Sequence, residues 1–272
     1  MTARPRGAAP AGPAPVDRED LTQRVQALYE QVALHPDSGF HFETGRALAE
    51  QLGYPVTDLD AVPAEAVESF AGVGYAFDLA QLSAGEAVLD LGSGAGTDAF
   101  VAARHVGPTG RVVGVDMTEA QLAKSERLRR EAGLEQVSFV SGRIEELPLP
   151  DDSVDVVISN GVINLAPDKA RVFAEAARVL RPGGRMALSD IVTADPLTDA
   201  IVGDVELWAS CIGGAPQRQD YQQLVTAAGL TVEVVKVNPY QFLSDQARGA
   251  SRTYGVQSIS LRARAPEQGG GG

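Results

Sequence analysis

The chain has 272 residues, 44% of them apolar, with 36 acidic against 23 basic residues and a net charge of −13. That length suits one large α/β domain with added helices, and an acidic balance without a basic run disfavours a nucleic-acid partner. A single cysteine excludes an intrachain disulfide, no apolar stretch reaches membrane-span length, and the N-terminus lacks the apolar core of a signal peptide, so a cytoplasmic location and no membrane partner are expected.

Residues 1–17 are rich in Ala, Pro and Gly and read as a disordered tail. Residues 18–86 read as a helical cap region. Within it, Arg18 to Leu34 carries Leu21, Val25, Leu28 and Val32 on one stripe. Pro36-Asp37-Ser38-Gly39 breaks that helix. Gly45 to Gly53 is a second short helix, and Pro63 starts a third that runs through Phe70.

The principal domain is expected over 87–265. Strand one covers Ala87 to Leu91, a helix runs from Asp98 to about His105, and strand two covers Arg111 to Asp116. Thr118 and Gln121 have the spacing of a capping box for the next helix, which reaches about Glu131. Strand three is Val137 to Val140. Strand four, Val154 to Ser159, is a near-continuous apolar run, as a doubly buried parallel strand should be. The helix Asp168 to Leu180 turns Val172, Phe173, Ala176 and Leu180 inward, and Arg181-Pro182-Gly183-Gly184 stops it. Strand five is Arg185 to Val192. An insertion over 194–218, helical around Ile201 to Ser210, interrupts the alternation. A helix from Tyr221 to Ala228 and strands Val232 to Val237 and Val256 to Ala263 follow, and 266–272 is a flexible tail. The pattern predicts an α/β fold. It is a Rossmann-like, doubly wound, mostly parallel sheet with a C-terminal antiparallel strand pair and an N-terminal helical cap.

Such sheets bind ligands at the carboxyl edge of their strands. Here the first strand runs into Gly92-Ser93-Gly94-Ala95-Gly96, and the second ends on Asp116, placed to accept hydrogen bonds from a ribose diol. The dinucleotide fingerprint needs a third glycine where Thr97 stands. Asp90 and Asp98 flank the turn, which suits a cationic ligand better than a pyrophosphate. The expected cofactor is therefore S-adenosylmethionine, leaving S-adenosylhomocysteine as product. A nicotinamide-dependent oxidoreductase and a non-catalytic cofactor-binding subunit are the competing readings.

These segments resemble the class I S-adenosylmethionine-dependent methyltransferases. The resemblance rests on Val88 to Gly96, Asp116, Gly142 to Pro148, Asp155 to Asn160 and Arg178 to Gly184. A narrower resemblance, over roughly 65–265, is to the arsenite methyltransferase family. It lies in Val115-Asp116-Met117-Thr118, Ile158 to Leu165 with Asp168-Lys169, Ser189 to Val192 and Trp208 to Ala215. That family binds trivalent arsenic through three cysteines. Cys211 matches one of them, whereas Val73 and Gly161 stand at the other two positions. The departure implies a different, organic small-molecule acceptor, with arsenite as the alternative.

The resemblance assigns Gly92, Ser93 and Gly94 to the methionine end of the cofactor through backbone, and Asp90 to the same turn. It assigns Asp116 to the ribose, Ile144 and Glu145 to the adenine edge, and Asn160 to the neighbourhood of the transferred methyl. Met117 reads as an adenine contact or as core, and Tyr29 as a segment closing over the cofactor or as core. His41, Gly161, Trp208 and Cys211 are candidates for the acceptor pocket. Asp190 and Glu206 are weak candidates for a general base, needed only if the acceptor carries a tightly held proton. No metal-ligand spacing is present.

Overall fold

The computed structural model describes residues 18–40, 42–202, 207–208, 212–242 and 245–267. His41, Glu206 and Cys211 lie outside the described residues. Helices α1 (Arg18–Leu34), α2 (Arg46–Leu52), α3 (Val56–Leu59), α4 (Ala64–Glu68) and α5 (Phe77–Ala80) precede β1 (Ala87–Leu91), α6 (Thr97–Val106), β2 (Arg111–Asp116), α7 (Glu119–Glu131) and β3 (Val137–Ser141). Then come β4 (Val154–Asn160), a 3₁₀ turn (Ile163–Leu165), α8 (Lys169–Val179), β5 (Leu180–Val192) and α9 (Asp199–Val202). The chain continues with α10 (Arg218–Ala227), β6 (Thr231–Val237), α11 (Asp245–Tyr254) and β7 (Gln257–Arg264).

The strands form one sheet in the order β3-β2-β1-β4-β5-β7-β6. β1 to β5 pair in parallel, and β7 runs antiparallel to β5 and β6. Successive strand residues point to opposite faces, which divides the core cleanly. Val88, Val112, Val156 and Ala187 join α2 to α7 on one face. Leu89, Leu91, Val113, Val115, Val157 and Leu188 join α8 and α10 on the other. There Phe173 of α8 is fully buried and meets Tyr221 of α10 edge to face, with centroids 5.2 Å apart. Burial of that ring contributes about 2–3 kcal/mol. The helices over 46–80 share an apolar cluster with β1, β2 and β4, so they are one layer of this core. Chain order reverses between β1 and β4, and the glycine turn after β1 opens there, at the switch point where such sheets bind ligands. Among the described residues no helix is long and apolar enough to cross a membrane.

Three local expectations need correction. Thr118 is the N-cap of α7 but makes no side-chain cap bond; its side chain bonds Asp116 instead. Gln121 does not close a capping box, because its Nε2 donates to the Tyr29 carbonyl on α1 at 2.9 Å. The Arg181–Gly184 segment is not a helix-stopping turn before a strand. α8 ends at Val179 and β5 begins at Leu180, with an irregular excursion between the Val154–Leu180 and Val156–Arg185 pairs. α11 had no counterpart in the sequence reading. By contrast, α8 starts as expected on Asp168, whose carboxylate accepts the Arg171 N–H at 3.1 Å.

Candidate functional site

β1 ends in a turn that must reverse direction beneath β4. Gly92 has φ +65°, and a Cβ there would stand 2.5 Å from Val162 Cγ2, so no other residue fits. The amides of Gly92, Ser93, Gly94 and Gly96 are committed within the protein. Gly92 and Ser93 both donate to the Val115 carbonyl, at 2.8 and 3.1 Å. Gly94 donates to Asp116 Oδ2 at 2.9 Å, and Thr118 donates to Oδ1 at 2.8 Å. Ala99, in the first turn of α6, donates to Asp90. The Gly92–Gly94 segment is therefore unlike a phosphate cradle, which presents free N–H groups.

A cleft opens over this turn. Its wall includes Tyr29, Asp90, Gly92, Ser93, Gly94, Asp116, Met117, Ile144, Glu145 and Asn160, all the residues expected to hold the cofactor. Gly161, expected in the acceptor pocket, lines it too. α1 supplies one side through Thr22, Val25 and Tyr29. It is tied down where Gln26 Nε2 donates to the Met117 carbonyl at 3.2 Å and Lys124 Nζ to the Ala33 carbonyl at 3.1 Å.

The polar end of the cleft is acidic. Asp90 and Asp98 are buried, and burial raises Asp90 well above the usual carboxylate range, with the charges of Asp98 and Asp116 adding to the effect. Burial pushes Asp98 up to about 6 and raises Asp116 as well. Asp98 Oδ1 accepts the Tyr54 hydroxyl at 2.5 Å and Oδ2 accepts Asn160 Nδ2 at 3.1 Å. Among the described residues, Asp90 Oδ2, Ser93 Oγ and Gln121 Oε1 are buried without a hydrogen-bond partner, and all three residues line the cleft. Unsatisfied buried acceptors of this kind call for a ligand or water. They fit a group with N–H and cationic ends. Asp116 accepts the backbone N–H groups of Thr118, Gly94 and Met117 and the Thr118 hydroxyl, and it lines the cleft.

Asn160 is more deeply embedded than its strand-end position suggests. Nδ2 also donates to the Gly74 carbonyl at 2.9 Å, and Oδ1 accepts the N–H of Val73 and of Gly74 at 2.8 and 3.2 Å. It thus fixes the Gly72-Val73-Gly74 loop over the end of β4. That loop places Val73 against Gly161, where an added Cβ would stand 3.3 Å from Val73 Cγ1. The two positions that depart from the resembled cysteine pattern are therefore neighbours in space.

Asp190 is not on the cleft wall. It is fully buried and accepts the N–H of Asn164 at 2.9 Å, the N–H of Ile191 at 2.8 Å and the Tyr221 hydroxyl at 2.8 Å. Those bonds commit its oxygens to the core, which removes it as a base for an acceptor. Trp208 lies beside the cleft rather than in its lining. Its Nε1 donates to the Asn164 carbonyl at 3.2 Å, and its ring packs with Leu21, Val25 and Leu165. Lys169 Nζ stands 5.1 Å from that ring. Among the described residues no cluster of His, Cys, Asp and Glu could hold a metal ion. Sequence reasoning missed Tyr54 altogether, and noted Asp98 only as an acidic flank.

Residues 82–229 match a family described as a methyltransferase domain. An arsenite methyltransferase from Halobacterium salinarum is 42% identical over 230 residues, covering 82% of this chain and 58% of that protein. The chain spans between 36% and 58% of the length of the arsenite methyltransferases it matches. The crystal structure of an arsenic(III) S-adenosylmethionine methyltransferase from Chlamydomonas reinhardtii superposes with a TM-score of 0.64 at 35% identity, covering 83% of this chain and 75% of that one. A geranyl diphosphate C-methyltransferase from Streptomyces coelicolor shares the fold at 19% identity, with a TM-score of 0.66 over 93% of this chain and 99% of that one.

Proposed function

The chain belongs to the methyltransferase-domain family, and from that premise we propose that it is an S-adenosylmethionine-dependent methyltransferase acting on a small organic molecule. One observation carries the reading: the glycine turn keeps its amides from the cleft while three carboxylates line it. The amides of Gly92, Ser93 and Gly94 are spent on Val115 and Asp116, while Asp90, Asp98 and Asp116 face the space. A pyrophosphate needs the opposite arrangement. At an effective dielectric near 20, each unit charge about 5 Å from another is worth about 3 kcal/mol, so three carboxylates favour a cation and weigh against a dinucleotide.

When bound, the donor supplies a methyl group on a sulfonium, already a good leaving group. The chain's residues orient and enclose. Asp116 holds the ribose, Met117 and Ile144 flank the adenine, and Asp90 with Ser93 receives the amino-acid tail. Asn160 and Gly161, at the end of β4, border the space an acceptor must enter for an in-line approach. Thr22, Val25 and Tyr29 on α1 close the side and keep out water.

The acceptor reading rests on Val73 and Gly161. Trivalent arsenic is soft and is held by several thiolates. This chain has one cysteine, and Val73, packed beside Gly161, offers hydrocarbon and no thiolate. The test combines methyl-labelled donor with a panel of phenols, carboxylic acids and amines, and separately with arsenite and glutathione. Label on an organic product with none on arsenic supports the reading, and methylated arsenicals as the main product overturn the acceptor class. S-adenosylhomocysteine that fails to bind overturns the methyltransferase reading itself.

A further inference from the structure

We propose that Asp90 and Asp98 hold one proton between them in the empty cleft and release it when the ammonium group of the donor's tail arrives. The inference rests on the donor reading above and deepens it.

Asp90 lies near the end of β1 and Asp98 in the first turn of α6, and both line the cleft with Asp116 of β2. Asp90 is 2% exposed, and its Oδ2 has no partner among the described residues. Ser93 Oγ, on a separate residue of the same wall, is also buried and unpartnered among them. The described groups around the pair carry no compensating charge. Asp98 faces the Tyr54 hydroxyl and the Asn160 amide, Asp90 faces the further negative charge of Asp116, and Tyr75 feels Asp98 from α5's side of the core. Arg143, a cation on the cleft wall, pairs with Glu145 at 3.4 Å.

Two buried carboxylates without a cation do not both ionise. Burial places Asp98 at about 6 and Asp90 higher than a free carboxylate. An ammonium group supplies both the missing charge and N–H donors for Asp90 Oδ2, so the proton held by the pair is displaced to the buffer. No covalent bond changes. Adenosine, which has no charged tail, should leave the proton in place.

Isothermal titration of the whole chain near pH 6, in buffers of small and large ionisation heat, counts the protons released. S-adenosylmethionine and S-adenosylhomocysteine should each release between about 0.5 and 1 proton, and adenosine none. Tyr54→Phe removes the hydroxyl that favours the charged form of Asp98, so maximum release should move up by about half a pH unit or more. Release by adenosine equal to that by S-adenosylhomocysteine overturns the proposal. So does an absence of release with S-adenosylhomocysteine bound. If none of the three ligands binds, the donor reading fails, and this inference fails with it.

Discussion

The side-chain oxygen of Asn160 accepts the backbone N–H of Val73 at 2.8 Å, so the end of β4 grips a loop 87 residues earlier in the chain. The same amide donates to Gly74, Tyr54 and Asp98. Asn160→Asp keeps the shape and reverses this chemistry. An oxygen would then face the Gly74 carbonyl and a second carboxylate. The variant should lose roughly 2–4 kcal/mol of stability at neutral pH and regain part of it in acid, where the introduced carboxyl is protonated and donates again. Urea unfolding at both pH values reads the difference. An unchanged midpoint would mean that the amide network does not hold the loop.

Asp116 gives a sharper test of the donor site. Its oxygens take Gly94, Met117 and Thr118, and the carboxylate lines the cleft. Asp116→Ala should weaken S-adenosylhomocysteine binding by more than about 100-fold, the least expected from two charge-assisted hydrogen bonds at about 1.5–3 kcal/mol each. Asp116→Asn should fall between the two. Calorimetry measures both, and equal affinity in all three proteins would remove the ribose from this position.

What the sequence made legible followed locality. β1, the glycine turn and Asp116 lie within one βα unit, and their periodicity and glycines are readable in a window of about 30 residues. Asp168 capping α8 is equally local. The Tyr54–Asp98–Asn160 cluster was not legible, because its members are 44, 62 and 106 residues apart and are joined only by the packing of α2 to α6 on the sheet. Gln121 failed as a capping residue for the same reason: the Tyr29 carbonyl on α1 offered its side chain a tertiary partner. Pro182 and the following glycines read as a turn, yet the sheet absorbs them as an irregularity in β5. α11 is polar, with a central Gly249, and has few apolar residues to mark a buried face.

α1 should respond to ligand. Thr22, Val25 and Tyr29 line the cleft, and the bonds that hold the helix beside it include Gln26 to Met117 and Gln121 to Tyr29. A ligand beneath α1 adds contacts that open when the helix lifts. Hydrogen exchange over Arg18–Leu34 should slow by about tenfold with saturating S-adenosylhomocysteine, while α10, packed on the far face, changes little. Equal protection of both helices would indicate global stabilisation instead of closure by α1.

The buried Asp190 predicts a pH-dependent mutant. Burial pushes this carboxyl up to about 6, while the Tyr221 hydroxyl, the Ile191 and Asn164 amides and the charge of Lys169 oppose the shift. Because the folded value exceeds the unfolded one, its contribution to stability is complete below about pH 4 and is lost as pH rises through about 6. Tyr221→Phe removes a donor that favours the ionised form, so the folded value rises further and the penalty at neutral pH grows. The variant should therefore cost about 1–2 kcal/mol more at pH near 7.5 than at pH near 5, where Asp190 is protonated in both proteins. Urea titrations at the two pH values give that difference directly. A cost independent of pH would show that Asp190 does not ionise in this range and that Tyr221 matters only for packing.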